Sequence, residues 1–222
     1  VKKFKNQNNI IKEIIFDNKK NISPTKNDII ISSLPINLTS HLLGYKSELR
    51  FRGIRSVYIA LNKKRAFKEK VNWLYFADKS IIFNRVSEPK TMSKYLGPKN
   101  KTYLCVEIAY SKNDMIDKLS FNEIKKIIKK DLIKTKLVKS LNEIYSVSEN
   151  KEDIVYPIQF KNYKKTLSDT KSFISKFPQL YSIGTGGDFD YADSQILFSK
   201  SIDLSNMLTD KYNKISNVVK LN

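Results

Sequence analysis

Hydrophobic and polar residues alternate along the first part of the chain in a way that predicts short strands separated by polar turns. The segment NIIKEIIFD (9–17) alternates over the length of a strand, and the polar stretch around Pro24 predicts a turn. DIIISSLP (28–35) is a run of β-branched and apolar residues that ends in serines, which predicts a buried parallel strand leading into a loop. A short helix, INLTSHLLG, is expected next, and Gly44 would end it.

Between residues 51 and 110 the pattern changes to successive strand candidates with polar, glycine or proline connections. The candidates are GIRSVYIALN, NWLYFAD, SIIFNRVS and KTYLCVEIAYS. Strands that follow one another so closely predict an antiparallel or mixed sheet. One or two further strands are expected in SLNEIYSVS and DIVYPIQF.

SFNEIKKIIKKDLIKTKLV (120–138) is the clearest helix candidate, because its apolar residues recur on one face and lysines occupy the other. Ser120 and Glu123 have the spacing of a capping box at its start. Two later helices are expected, YKKTLSDTKSFISKF, ended by Pro178, and DSQILFSKSIDLSNMLTDKY, on either side of a last short strand, LYSIG. Together these elements predict a mixed α/β fold, of the α+β kind.

The composition indicates a folded protein and excludes several kinds of site. At 222 residues and 41% hydrophobic content, the chain can bury a core as one large domain or two small ones. No run of 18 apolar residues and no signal-peptide pattern occurs, which predicts a soluble, cytoplasmic protein. Cys105, the single cysteine, is expected to pack as a small hydrophobe rather than to act as a nucleophile. With His41 as the single histidine, neither a Cys/His zinc site nor a serine triad is expected.

The formal net charge of +19 raises the question of a nucleic-acid partner. All five arginines lie between Arg50 and Arg85, and the other positive charges are lysines spread along the chain. Because base-reading contacts favour arginine, we expect a lysine-coated surface and no specific nucleic-acid partner. The lysine face of 125–139 leaves a second hypothesis open, a basic α/β binding module for a polyanion or a membrane surface.

The segment YSIGTGGDFDYADSQ (181–195) holds three of the six glycines and lies between a predicted strand and a predicted helix. Gly184, Gly186 and Gly187 would let the backbone approach a pyrophosphate closely, and Asp188 could accept hydrogen bonds from sugar or ribityl hydroxyls. The alternative is an ordinary tight turn, since GTGGD does not match G-x-G-x-x-G.

The order of these segments resembles that of the flavin-dependent amine oxidases, protoporphyrinogen oxidases and phytoene-type desaturases. NDIIISSLP is similar to the segment where the chain leaves the FAD domain of those proteins. LRFRGIRSVYIALNKK, NWLYFAD, FNRVSEPKTMS and TYLCVEIAY resemble substrate-domain strands of the bacterial polysaccharide-associated branch. VYPIQFKNY and FPQLYSIGTGGDFDYADSQ resemble the return to the FAD domain, so the resemblance extends from about Ile10 to Leu208.

The resemblance implies a substrate-binding domain at 36–154, built of a mixed or antiparallel sheet with flanking helices. Residues 1–35 and 155–222 would form the C-terminal half of an FAD-binding domain. Because the chain contains no strand, G-x-G-x-x-G turn and helix, we interpret it as the C-terminal piece of a longer polypeptide. Its partner would be the missing N-terminal dinucleotide-binding portion, and the piece alone, with an incomplete FAD site, is expected to be inactive.

The same resemblance implies which residues surround the flavin and the substrate. The implied flavin contacts are Ser33, Pro35, Gly184, Thr185, Gly186, Gly187, Asp188, Phe189 and Tyr191. Thr185 stands where the branch commonly has an arginine, which is a departure from the pattern. The implied substrate contacts are Arg52, Arg55, Trp73, Arg85, Tyr156 and Tyr163.

Other interpretations of these residues stay open. Phe160, grouped with Tyr156 and Tyr163 in an aromatic wall, fits ordinary core packing better, and Trp73 fits a core position equally well. Each arginine is equally consistent with an ion pair, for example with Glu107. No catalytic residue and no metal site is implied, because the flavin itself carries the redox chemistry.

The first hypothesis for function is an FAD-dependent oxidoreductase that passes hydride from a small-molecule substrate, such as a sugar or glycan precursor, to the flavin. A flavin-dependent sugar-nucleotide mutase is a further alternative. Both require residues 28–35 and 180–191 to be neighbouring strand ends that face a flavin together.

Overall fold

The computed structural model of the protein describes residues 1–219 as a mixed α/β fold, as predicted. The strands are β1 (Lys3–Gln7), β2 (Ile10–Ile15), β3 (Asn21–Ile22), β4 (Ile30–Ser32), β5 (Phe51–Leu61), β6 (Trp73–Tyr75), β7 (Arg85–Ser87), β8 (Thr102–Tyr110), β9 (Ile144–Pro157) and β10 (Leu180–Ser182). The α-helices are α1 (Ile36–Leu42), α2 (Pro89–Met92), α3 (Met115–Lys118), α4 (Phe121–Lys134), α5 (Tyr163–Ile174), α6 (Gly184–Asp188) and α7 (Ser194–Val219). A short 3-10 helix, Leu141–Glu143, precedes β9.

The chain forms two compact units. Unit 1 comprises Val1–Arg50 together with the chain from Tyr156 onward, and unit 2 comprises Phe51–Val155. The first division follows residue 50, whereas the sequence suggested residue 35, because α1 packs against α5 and α6 and so stays with unit 1. That unit 1 is a flavin domain and unit 2 a substrate domain stays a prediction.

Unit 1 contains two small sheets. Strands β1, β2 and β3 form an antiparallel sheet. Strand β1 was not predicted, because its one buried residue, Phe4, stands between lysines and gives no apolar alternation. Strands β4 and β10 form a parallel pair. Gln179, which is 4% exposed and directly precedes β10, joins the two sheets. Its Oε1 accepts a hydrogen bond from the amide of Ile11 on β2 at 2.7 Å.

Helix α1 leads away from β4 and ends where the glycine predicted. Its first turn begins after Pro35, whose carbonyl accepts from the Thr39 amide at 2.9 Å. Gly44 has a φ of +98°, and the Tyr45 amide reaches back to the Ser40 carbonyl at 2.8 Å. This left-handed turn satisfies the last carbonyls of the helix and favours glycine.

Unit 2 is built on a five-stranded sheet with the order β6-β7-β8-β5-β9. The β5–β8, β6–β7 and β7–β8 pairs are antiparallel, as predicted. Gly53 on β5 lies opposite Tyr110 on β8, and a Cβ at Gly53 would stand 2.4 Å from the tyrosine ring. Glycine is therefore required there, because the ring crosses directly over that backbone position.

One face of this sheet is covered by α4. Ile124, Ile128 and Leu132 of the helix are fully buried against alternate residues of β5 and β8, such as Val57 and Val106. The predicted capping box is present: the Ser120 Oγ accepts from the Glu123 amide at 3.3 Å, and the Glu123 carboxylate accepts from the Ser120 amide at 2.8 Å.

One predicted strand is longer than the observed one, and two predicted segments form one strand. In SIIFNRVS only Arg85–Ser87 is a strand, because Phe83 packs into the core from an irregular segment and the Ile82 amide donates to buried Asp131 at 2.9 Å. SLNEIYSVS and DIVYPIQF contribute to a single strand, β9. No helix within residues 1–219 combines the length and the apolar character that spanning a membrane requires.

Candidate functional site

The two segments that the flavin hypothesis requires to be neighbours are neighbours in unit 1. Strand β4 pairs with β10 in parallel, with Ile30 opposite Leu180 and Ser32 opposite Ser182. The pairing continues one residue further, because the Ile183 amide donates to the Ser32 carbonyl at 2.9 Å. Both strands therefore end on the same edge, where ligands of open parallel sheets commonly bind. The expected adjacency is confirmed.

The burial of this pair differs from the prediction. Ile31 is 53% exposed, although DIIISSLP was expected to form a buried strand. A two-stranded parallel sheet has only edge strands, so the described chain leaves part of each strand uncovered.

The glycine-rich segment forms one turn of helix, α6, rather than a loop. Gly184 opens the turn with a φ of +86°, and a Cβ there would meet no other atom within 4 Å. Gly186 lies against the other strand end, since its Cβ would stand 3.3 Å from the Pro35 Cα. A Cβ at Gly187 would stand 2.8 Å from the Ser182 Oγ, which itself donates to the Gly187 carbonyl at 3.1 Å.

These contacts change the interpretation of the three glycines. Gly186 and Gly187 are favoured by close packing of α6 onto Pro35 and Ser182, which the sequence did not distinguish from approach to a ligand. Gly184 alone combines a left-handed backbone with open space at the end of the strand. At the same edge Ser33 is exposed and Pro35 and Thr185 are half-buried, so all three are at least partly accessible to a ligand.

Asp188 is engaged by a lysine that the sequence analysis missed. The Lys200 ammonium on α7 lies 3.2 Å from the Asp188 Oδ2 and 3.0 Å from the Asp190 Oδ2. The hydrogen bond to Asp190, followed by the one to Asp188, raises the pKa of Lys200, so the ammonium stays charged. Asp188 is thus partly neutralised, and a hydroxyl ligand would share its carboxylate with Lys200. Sequence spacing gave no signal for this cluster, because it depends on how α7 packs.

Phe189 and Tyr191 occupy opposite environments. Phe189 is 2% exposed and adopts a left-handed backbone with a φ of 56°, which is strained for a bulky residue. Its ring centroid lies 6.1 Å from that of Tyr163. Tyr191 is 64% exposed, and its ring lies edge to face with that of Tyr156, with the two ring centroids 4.9 Å apart. Of these predicted flavin contacts, Tyr191 is accessible and Phe189 belongs to the interior.

A groove of about 680 Å³ runs beside this cluster in unit 1. Tyr163 and Lys171 of α5, Asp188 of α6 and Lys200 of α7 line it. Phe160 does not line this groove; the Arg50 guanidinium stacks over its ring at 5.1 Å, in keeping with a packing role.

In unit 2, Arg55 is buried and its guanidinium is hydrogen-bonded within the protein. It is 2% exposed on the face covered by α4, and its Nε and Nη2 donate to the two carboxylate oxygens of Glu149 at 2.5 and 3.0 Å. Its Nη1 donates to the carbonyls of Ile116 and Leu119 at 2.9 and 2.7 Å. These bonds account for the guanidinium without a substrate.

The other predicted substrate residues of unit 2 lie on the face opposite α4 or at its edge. Arg85 pairs with Glu107 across β7 and β8 at 2.7 Å, which is the ion pair that the sequence left open. Arg52 and Trp73 are exposed, Trp73 by 47%. Cys105 also lies on this face; burial, the main cause, raises the pKa of its thiol to about 11, as expected of a packed and unreactive cysteine.

Comparison with solved structures shows where this fold occurs. The chain superposes on a reduced UDP-galactopyranose mutase with a TM-score of 0.69 and 20% identity, over 81% of this chain and 39% of the mutase. It superposes on a protein described as a protoporphyrinogen oxidase from an Exiguobacterium species with a TM-score of 0.58 and 12% identity, over 71% of this chain and 36% of that one. It superposes on an oxidoreductase from Methanosarcina mazei with a TM-score of 0.51 and 15% identity, over 84% of this chain and 43% of that one.

These likenesses confirm the resemblance at the level of the fold. The chain shares the fold of part of each of these proteins and spans about two fifths of their length. Its sequence matches no family model and no curated protein sequence.

Proposed function

We propose that the ends of β4 and β10 form part of an FAD site in a flavin-dependent oxidoreductase. The observation that carries this proposal is the parallel pairing of two segments that are 150 positions apart in sequence, Ile30 with Leu180. The fold likeness to an oxidoreductase and to a protoporphyrinogen oxidase supports it. A bound flavin would accept a hydride from a substrate C–H bond, for example on a sugar or glycan precursor.

The residues at the strand ends fit a flavin in part. Gly184 leaves open space, Ser33, Pro35 and Thr185 are partly accessible, and Tyr191 is exposed. We assign these five residues to flavin contact. Gly186 and Gly187 hold α6 in place, and Phe189 supports it from the interior.

The remainder of the site would come from a dinucleotide-binding portion that this chain does not contain. Unit 1 offers a two-stranded parallel sheet with an exposed Ile31, whereas parallel sheets are usually larger and covered on both faces. A neighbouring strand, G-x-G-x-x-G turn and helix would extend that sheet and bind the ADP half of FAD. Activity of the whole enzyme therefore belongs to the combined protein.

A sugar-nucleotide mutase is the second candidate. The likeness to UDP-galactopyranose mutase, with its TM-score of 0.69, supports it. The two candidates differ in electron balance, because a mutase rearranges its substrate without net oxidation. After chemical reduction, the full gene product incubated with UDP-galactopyranose would yield an isomer of unchanged mass if it is a mutase. An oxidoreductase would instead oxidise its substrate and consume an electron acceptor.

The experiment for the flavin site uses the full gene product that contains this chain. We expect the purified protein to carry flavin, seen in its visible absorbance and after acid release. Gly184→Ala should lower the flavin content, because the new methyl group would occupy the open space at the strand end. Gly44→Ala is the matched control: its φ is +98° and it too has open space, so both substitutions strain the backbone by about 1–2 kcal/mol.

Flavin loss in Gly184→Ala with retention in Gly44→Ala would support the site. Equal loss in both variants would show that strain alone releases the flavin. A gene product that binds no flavin would refute the proposed function.

A further inference from the structure

Unit 2 contains a small pocket that the flavin proposal does not use. Three tyrosines, Tyr58 of β5, Tyr103 of β8 and Tyr145 of β9, surround Ala60 on the sheet face opposite α4. The pocket has a volume of about 250 Å³. We call it the tyrosine pocket.

The floor of the tyrosine pocket follows from strand register. Residues 58 and 60 of β5 point to the same face, and Ala60 lies directly opposite Tyr103 on β8. The small side chain of Ala60 leaves a depression between the larger rings. Tyr58 and Tyr145 remain 39% and 52% exposed, so their rings are accessible from solvent.

The wall of the pocket is a loop whose ends are joined by a lysine. Gly97 has a φ of +112°, and Pro98 follows it. The Lys90 ammonium donates to the carbonyls of Pro98 and Lys101, which closes the loop on itself. A wall that is ordered beforehand lowers the entropic cost of binding.

The chemistry of the lining is aromatic, rich in hydroxyls and positively charged. Ser146 and Ser148 add hydroxyls, and the Tyr58 phenol, which is protonated at neutral pH, can donate a hydrogen bond. Lys101 is the one charged residue in the described lining, and its ammonium lies 4.2 Å from the centroid of the Tyr145 ring. No aspartate or glutamate lines the pocket within the described chain.

We propose that the tyrosine pocket binds a single sugar ring that carries a negative group, such as a uronate. Its volume suits one ring and is too small for a nucleotide. Aromatic ring faces carry partial negative charge and attract the C–H face of a sugar, while hydroxyls on its edge meet the tyrosine and serine hydroxyls. The Lys101 ammonium would pair with the carboxylate or phosphate.

Ligand-observed NMR on the purified protein without flavin tests this site. We expect glucuronate to bind, and glucose to bind about tenfold more weakly because it lacks the charge. Benzoate, which has the charge but no sugar ring, should not displace glucuronate. Lys101→Gln should weaken glucuronate about tenfold and leave glucose unchanged. Tyr95→Ala is the control and should leave glucuronate binding unchanged, since Tyr95 is 83% exposed and lies outside the pocket lining.

A blocking variant gives a second, independent test. Ala60→Leu would fill the floor and abolish binding, whereas Ala109→Leu, on the same sheet face but outside the pocket, should bind normally. Circular dichroism checks that each variant folds, and the Lys101→Gln result stands if Ala60→Leu does not fold. Absence of glucuronate binding, tighter binding of benzoate, or equal loss in Ala60→Leu and Ala109→Leu would overturn the proposal. None of these outcomes depends on the flavin proposal.

Discussion

Arg55 and Arg85 show how far single residues could be interpreted from the sequence. The pair Arg85–Glu107 was foreseeable, because alternation places both on one face of neighbouring strands. The partner of Arg55, Glu149, lies 94 positions away and depends on the position of β9 beside β5. Lys200 escaped detection for the same reason, since the contact with Asp188 forms only when α7 packs beside α6.

Arg55→Met should destabilise the protein strongly. Removal of the guanidinium leaves the Glu149 carboxylate without its main partner and the half-buried Ile116 and Leu119 carbonyls without this donor, for a loss of about 3–5 kcal/mol in the free energy of unfolding. Urea denaturation measures this loss. Arg52→Met, on the same strand but exposed, should change stability by less than about 0.5 kcal/mol. Similar losses in both variants would contradict the structural role of Arg55.

Cys105 should react slowly with iodoacetamide at neutral pH. Its thiol pKa is raised to about 11, so the reactive thiolate is scarce until the pH approaches that value. Because the folded state disfavours the thiolate, this group also makes folding less favourable as pH rises from about 9 towards 11. Alkylation rates across this range, compared with those of the urea-unfolded chain, measure the shift. Equal rates near pH 8 would show that the thiol is not protected.

At the scale of elements, local patterns predicted the helices better than the strands. The capping box of α4 and the glycine stop of α1 were confirmed because they depend on neighbouring residues. Strand β1 and the helical turn α6 were missed, since β1 is stabilised by pairing with β2 and α6 by packing on Pro35. Tertiary contacts decided these elements rather than intrinsic propensity.

The lysine face of α4 is expected to be a solvated surface. Lys126, Lys130 and Lys134 are exposed, while the apolar face of the helix is already buried against the sheet. At physiological salt we expect little binding to heparin, and the same weak binding after these three lysines are changed to glutamine. A salt titration by fluorescence anisotropy measures this. Tight binding that falls steeply with salt and disappears in the triple variant would instead favour the polyanion-binding hypothesis.

At the scale of the whole molecule, the sequence predicted a long-range pairing that no local pattern encodes. The neighbouring positions of 28–35 and 180–191 were inferred from the resemblance in the order of segments, and β4 and β10 confirm it. Composition and periodicity alone would have left these two short apolar segments unconnected. The compact units divide after residues 50 and 155, and α1 belongs by its packing to unit 1. The division into a flavin domain and a substrate domain stays a prediction.

Hydrogen–deuterium exchange on the full gene product, with flavin bound and after flavin removal, tests the central proposal most directly. Bound flavin should slow exchange in the peptides that contain residues 30–36 and 180–191 together, while the peptides of α4 stay unchanged. Protection confined to other parts of the protein, with both strand ends exchanging equally in the two states, would contradict a flavin site at the ends of β4 and β10.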